Sequence, residues 1–348
     1  HATGLVCACV DEIQDDRTAI CREVDEDFGM NVRSVEPLDG GGVRGTLTAT
    51  LLQRLSEAVP GWLDEVDLIA GTSTGGILAL GLASGLAPTE LQALYCDNCR
   101  QVFDDSWLDD VLDLGQVIGA QFDNKNLAKM IDKVIGPVTL DELEKHVIIS
   151  AFDLDNEAKD PLERCWKPKF FHNLPGKDSD GKFMARDVAL YTSAAPSYFP
   201  AVDGYVDGGV IANNPSMAAL AQVFDQRAQI PQRPSLDEIR LLSMGTGKVL
   251  HFIRTRRKYL DWGYAHWVKP ILDIMMDGSM GLADFQCRQL LGPDQYLRIN
   301  PVLTDAIGLA AYKKVDALVA IGEQYELDTA VAWLKSAWMA PALVPVPG

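Results

Sequence analysis

Three short stretches of this chain carry residue types and spacings that fit acyl-transfer chemistry. Gly71-Thr72-Ser73-Thr74-Gly75 has the form G-x-S-x-G, with the apolar runs Leu68–Ala70 before it and Ile77–Ala83 after it. A strand that turns sharply into a helix at such a motif presents its serine hydroxyl at the tip. Gly71 and Gly75 fit because a Cβ at either place would crowd the turn. The helix that starts beside Ser73 offers free N–H groups and the positive end of its dipole. Asp39-Gly40-Gly41-Gly42-Val43-Arg44-Gly45 is the second stretch, and Asp207-Gly208-Gly209 is the third.

A serine nucleophile ordinarily takes its base from histidine. The five histidines, His1, His146, His172, His251 and His266, all lack glycine-loop neighbours and read as surface or helix residues. Asp207 fits the base better, because its glycines permit a close turn. A free aspartate titrates near about 3.9, so the role requires burial and direct contact with the hydroxyl. Asp203 also precedes a glycine, and spacing alone does not choose between the two. Asp203 reads as the cap of a hairpin-like turn, whereas Asp207 has two glycines and leads into Asn213-Asn214-Pro215. The consecutive glycines at 40–42 let backbone N–H groups converge on one spot. That is the design of an oxyanion hole, to which Thr74, the residue after the serine, adds its own N–H.

Other uses of these motifs fit less well. Gly40, Gly42 and Gly45 also satisfy G-x-G-x-x-G, but a dinucleotide site needs an acid at the end of the next strand, and that strand ends in the serine turn. Residues 68–89 carry no charge over a membrane-spanning length, yet their Gly, Ser and Thr content argues against a span. Cys96-x-x-Cys99 has no second pair, so no metal is expected there.

These groups need a scaffold to meet. Val32–Leu38 predicts a strand that Pro37 should end or confine to a sheet edge. Thr46–Ala58 predicts a helix with Leu47, Leu51, Leu52 and Leu55 toward a core. Residues 88–145 read as mostly helical, with Met130 a core filler rather than part of a binding surface. Val147–Phe152, Lys169–His172 and Ile239–Ser243 predict strands, and Arg186–Thr192 and a stretch from Ser216 predict helices. This alternation points to an α/β fold on one sheet. Residues 1–30 read as an acidic extension without an assignable role, 31–340 as one catalytic domain and 341–348 as a loose Pro-rich tail. Within the domain, 32–247 carry the motifs and 248–340 are mostly helical.

The chain has 49 acidic against 31 basic residues, a net charge of −18, which excludes a nucleic-acid partner and anchoring by charge to anionic lipid. Seven cysteines are too few for a disulfide scaffold in a chain of this length. A cytoplasmic setting, peripheral to a membrane at most, is the simpler expectation. No signal peptide is visible, and a start at His1 leaves removal of an export signal open.

The motifs D-G-G-G-V-R-G at 39–45, G-T-S-T-G at 71–75, S-A-A-P-S-Y-F-P at 193–200 and D-G-G at 207–209 with the following N-N-P occur here in one order. Over about Val32 to Gly247 the chain resembles the patatin-like phospholipases, with L-S-M-G-T-G at 242–247 as the last matching piece. The resemblance implies a three-layer α/β/α fold with a central, mostly parallel sheet and a Ser–Asp dyad. Ser73 would be the nucleophile and Asp207 the base. Gly40, Gly41, Gly42 and Arg44 would lie in the oxyanion loop, and neither metal nor organic cofactor is implied. Glu36-Pro37 departs from the plain β-formers usual before that loop and puts the local strand pairing in question.

The expected reaction is hydrolysis of lipid carboxylic esters, of phospholipase A or lysophospholipase type, through an acyl-enzyme. A low-turnover lipid-binding or regulatory protein on the same fold, and a general esterase or lipase, are the alternatives. Beyond Gly247, Arg254–Lys258 form a basic cluster, and Leu260, Tyr264, Trp267, Ile271 and Met275 recur at helical steps broken by Pro270. This segment reads as a core helix with a solvated basic start, and it leaves transient membrane-surface contact open.

Overall fold

The computed structural model describes residues 32–103, 122–230, 233–253 and 262–339. The expectations for 1–30, 341–348, Arg254–Lys258, Leu260 and the side chain of Tyr264 lie outside what is described. Among the described residues nine strands run in chain order: β1 (Ser34–Leu38), β2 (Leu68–Thr72), β3 (His146–Asp153), β4 (Lys167–His172), β5 (Tyr205–Asp207), β6 (Arg240–Met244), β7 (Lys248–Val249), β8 (Tyr296–Ile299) and β9 (Val302–Leu303). The helices are α1 (Gly45–Ala58), α2 (Thr74–Ala83), α3 (Pro88–Phe103), α4 (Asn124–Ile135), α5 (Ala185–Ser193), α6 (Gly209–Ala212), α7 (Ser216–Val223), α8 (Tyr264–Leu290), α9 (Val315–Gln324) and α10 (Asp328–Trp333).

Seven strands form one sheet in the order β4-β3-β2-β1-β6-β8, with β5 also on β3. β2, β1, β6 and β8 run parallel to their neighbours and to β3, while β4 and β5 are antiparallel to β3. Side chains alternate across a strand, and the apolar ones divide accordingly. Ile69, Ile149 and Leu242 face one buried cluster with α1 to α5, α9 and α10. Leu68, Ile148 and Leu241 face a second cluster with α7 and the end of α8. The fold is therefore three-layered, helices on both faces of a mostly parallel sheet.

Pro37 neither ends β1 nor lies at an edge, because β1 sits between β2 and β6. The ladder to β6 is formed at Ser34, Val35 and Leu38 but skips Glu36 and Pro37. Proline has no N–H to give, so the gap absorbs it. Glu36 is fully buried with both carboxyl oxygens unpartnered among the described residues, and burial raises its pKa well above the usual range, which favours the neutral form.

α8 also differs from its expectation. Pro270 lies inside a continuous helix, and Ile271 and Met275 are exposed rather than in the core. The helix instead buries Met280, Ala283 and Cys287.

Candidate active site

β3 sets the site. β2 pairs with it in parallel as far as Thr72 opposite Ser150, and the chain then leaves the sheet at Ser73. The next residue of β3, Ala151, pairs with Asp207. Because β4 occupies the other edge of β3 from Ile148 to Asp153, β5 must take the edge that β2 has just vacated. Asp207 thus stands one register step beyond the serine turn, although 134 residues separate the two in sequence.

Ser73 has φ 54° and ψ −124°, a conformation that costs a non-glycine residue on the order of 1–3 kcal/mol. The turn is close to its neighbours on every side. A Cβ on Gly71 would stand 2.4 Å from the Gly75 carbonyl oxygen, and one on Gly75 would stand 2.2 Å from that of Leu38. The Ser73 N–H donates to Thr192 Oγ at 2.8 Å, and the Thr74 hydroxyl donates to Tyr95 Oη at 2.6 Å. Behind the serine, Thr72 Oγ lies 2.6 Å from Ser150 Oγ and donates to the Ala212 carbonyl.

Asp207 closes β5. Its N–H donates to the Ala194 carbonyl at 3.0 Å, and its Oδ1 accepts the Gly209 N–H at 2.7 Å. Gly208 permits the turn, since a Cβ there would meet the Ser150 carbonyl oxygen at 2.4 Å. Burial pushes the carboxyl up to about 6, while hydrogen bonding by the Ser73 hydroxyl and the Gly209 N–H opposes the rise. Asp203 is elsewhere in role: exposed, at φ 48° in the turn before β5, it accepts a hydrogen bond from Tyr191 Oη at 2.9 Å.

Ser73 and Asp207 share one cavity with Gly41, Gly42 and Thr74. The N–H groups of these last three have no acceptor among the described residues. Gly40 differs, because its N–H is taken by the Asn213 carbonyl at 2.9 Å and its own carbonyl by the Thr246 hydroxyl. Arg44 braces the loop from behind, its guanidinium donating to the Gly41 and Gly247 carbonyls. Asp39 begins the loop and is clamped by Arg298, with Nη1 3.1 Å from Oδ1 and Nη2 on Oδ2.

Away from these polar groups the cavity is apolar. Tyr95, Cys99 and Val102 on α3 face Leu127 and Met130 on α4, with Ile77, Tyr198 and Phe199 between. Met130 therefore lines the cavity, contrary to its reading as core filler alone. Leu272 and Met276 of α8 and Leu309 form the other side. None of the four described histidines lines it. Among the described residues no group of three or more His, Cys, Asp or Glu side chains is placed to hold a metal.

Sequence reasoning missed Thr192, Arg298 and the cavity role of Cys99 and Val102. Thr192 directly precedes the S-A-A-P stretch, which is the one sequence signal near it. The pairing of Arg298 with Asp39 had no sequence signal.

Known proteins agree with this frame. The family model of the patatin-like phospholipases matches residues 38–220. Patatin-like protein 1 of Oryza sativa subsp. indica is 30% identical over 337 residues, covering 82% of this chain and 79% of that one. A cGAMP-activated phospholipase of Pseudomonas aeruginosa is 31% identical over 282 residues, covering 79% of this chain and 80% of that one. Patatin-like protein 2 of Arabidopsis thaliana is 27% identical over 346 residues, with coverage of 84% and 83%. With its fold, its serine turn and these likenesses together, the chain belongs to the patatin-like phospholipase family of lipid acyl hydrolases.

Proposed function

We propose that the chain hydrolyses acyl esters of glycerophospholipids or related lipids through a Ser73–Asp207 dyad, in a phospholipase A or lysophospholipase type of reaction. The observation that carries this reading is one apolar cavity lined by Ser73, by a buried Asp207 of raised pKa and by Gly41, Gly42 and Thr74, whose N–H groups have no acceptor among the described residues. In the first half-reaction Ser73 Oγ bonds to the ester carbonyl carbon while Asp207 takes the serine proton. Gly41, Gly42 and Thr74 donate to the oxyanion, each such bond being worth about 2.7–4 kcal/mol in the transition state. The tetrahedral species breaks its bond to the alcohol oxygen, which leaves with the proton from Asp207. A water then repeats the sequence on the acyl-enzyme, giving the fatty acid and restoring both residues. Gly40 and Arg44 hold the loop in this scheme rather than donate to the substrate. The arm between α3 and α4 suits an acyl chain, since it offers carbon surface and few polar partners.

Replacement of Ser73 by alanine tests the reading. Ser73→Ala should lose turnover of a chromogenic acyl ester and labelling by an organophosphate, and keep its melting temperature. Substantial residual turnover, or label on another serine, would overturn the assignment.

A further inference from the structure

α8 presents two kinds of apolar surface. Leu272 and Met276 face the cavity. On another side of the same helix Ile271, Ile274, Met275, Leu282 and Phe285 are 43%, 43%, 48%, 57% and 60% exposed. Their spacing is three, four or a multiple of a helical turn, so they fall in one stripe. From Ile271 to Phe285 it extends about 21 Å at 1.5 Å per residue. Gly278 and Gly281 leave open space beside it, and the half-buried Trp267 continues it one turn toward the helix start. Asp273, Asp277, Asp284 and Arg288 follow one another at four- and seven-residue steps along a different side, where Arg288 pairs with Asp284 and His251 with Asp277. Among the described side chains no charge interrupts the apolar stripe itself.

We propose that this stripe docks the enzyme on the surface of an electrically neutral phospholipid bilayer. The inference rests on the acyl-hydrolase reading and names where its lipid comes from. A helix with one apolar side and one charged side can lie in the plane of a membrane interface with the apolar side sunk among the acyl chains. Here the sunken side would be next to the side that walls the cavity, so a lipid leaving the bilayer would meet Ser73 without crossing water. Among the described residues no helix is long and apolar enough to cross a membrane, which fits contact by one face. Charge selects the kind of surface. Among the described residues the charges bordering the stripe are mostly acidic, and the chain as a whole carries −18, so anionic headgroups would repel it and zwitterionic ones would not. A second copy fits less well, because five half-exposed side chains fall short of the about 800 Å² per partner of a typical stable interface.

Co-sedimentation with phosphatidylcholine vesicles tests this, using the full chain carrying Ser73→Ala so that no lipid is consumed. The parent should bind, and Leu282→Asp with Phe285→Asp should weaken binding at least tenfold. In the background with Ser73 intact, the same pair should leave the melting temperature and turnover of a short water-soluble ester unchanged. Leu282→Ser with Phe285→Ser, a milder change, should give an intermediate loss. Absence of vesicle binding, equal binding by both proteins, or binding only when phosphatidylserine is added would overturn the proposal. So would a dimer in sedimentation equilibrium that the aspartate pair dissociates, since the stripe would then join two copies. A parent that binds vesicles but fails on the soluble ester would sink the hydrolase reading and leave the docking surface standing.

Discussion

The Thr192 hydroxyl accepts the backbone N–H of Ser73 at 2.8 Å, and two residues later the Ala194 carbonyl accepts the backbone N–H of Asp207 at 3.0 Å. One short segment at the end of α5 therefore holds both members of the proposed dyad by their main chains. The arrangement also explains why Ser73 needs no N–H partner from its own helix, and why its N–H is not a donor to substrate.

Thr192 is fully buried, so Thr192→Val should leave the Ser73 N–H without an acceptor. The cost should be about 1–3 kcal/mol of stability. Loss of the brace should also let the strained serine turn relax and lower kcat by about 10- to 100-fold. Thr192→Ser keeps the hydroxyl and should restore most of both. Melting temperature and kcat for the three proteins check this, and a fully active Thr192→Val would remove Thr192 from the positioning of Ser73.

The Asp207 carboxyl, pushed up to about 6 by burial, sets a pH dependence. A protonated carboxyl cannot take the serine proton, so kcat/KM on a soluble ester should rise with pH and bend near 6, the free-enzyme value. An activity limb that disappears on changing His146, His172, His251 or His266 would instead point to a histidine base.

Much of this site is legible in the sequence because its chemistry is local. Ser73 is marked by glycines that the turn requires, and Asp207 by a glycine that lets it pass Ser150. The division of the loop is not legible: Gly40 and Gly41 are the same residue type, and only the approach of the Asn213 carbonyl takes one N–H out of use. The place of Pro37 is not legible for a related reason, since a gap in the ladder to β6 is a tertiary arrangement that no single strand announces. Helical spacing identified the apolar residues of α8 but not the side facing the protein. That choice is made by the sheet surface which Cys287 covers.

Stability separates the two acids that spacing could not. The folded-state value of Asp207 lies above the usual 3.8, so the stability it contributes in the protonated form below about pH 4 is lost as pH rises through about 6. The difference corresponds to roughly 3 kcal/mol as an order of magnitude. Asp207→Asn should thus be inactive yet melt higher than the parent at pH 7, with little difference at pH 4. Asp203→Asn weakens only the hydrogen bond from Tyr191, and should keep most activity while losing about 1 kcal/mol. Turnover and melting curves at the two pH values decide it, and an active Asp207→Asn would refute the base assignment.

The clamp of Arg298 on Asp39 makes the last expectation. Both side chains are nearly or fully buried, and Arg298 also donates to Ser243 Oγ at 2.6 Å, so the pair ties the start of the glycine loop to β8 and β6. Removing one partner of a buried ion pair typically costs about 3–5 kcal/mol, because the other charge is left without compensation. Arg298→Met should therefore destabilise strongly at pH 7. It should do so less at pH 5, where an unpaired Asp39 can neutralise by taking a proton. Combining it with Asp39→Asn removes the stranded charge, and the double variant should be more stable than Arg298→Met alone at pH 7. Gly41 and Gly42, the proposed oxyanion donors, lie two and three residues beyond Asp39, so kcat should fall in both variants even where the fold is recovered. Denaturant melts at the two pH values, with kcat measured on the folded fraction, give the answer. Simple additivity of the two single changes would mean that the pair contributes no coupling and that the loop is held by its other bonds alone.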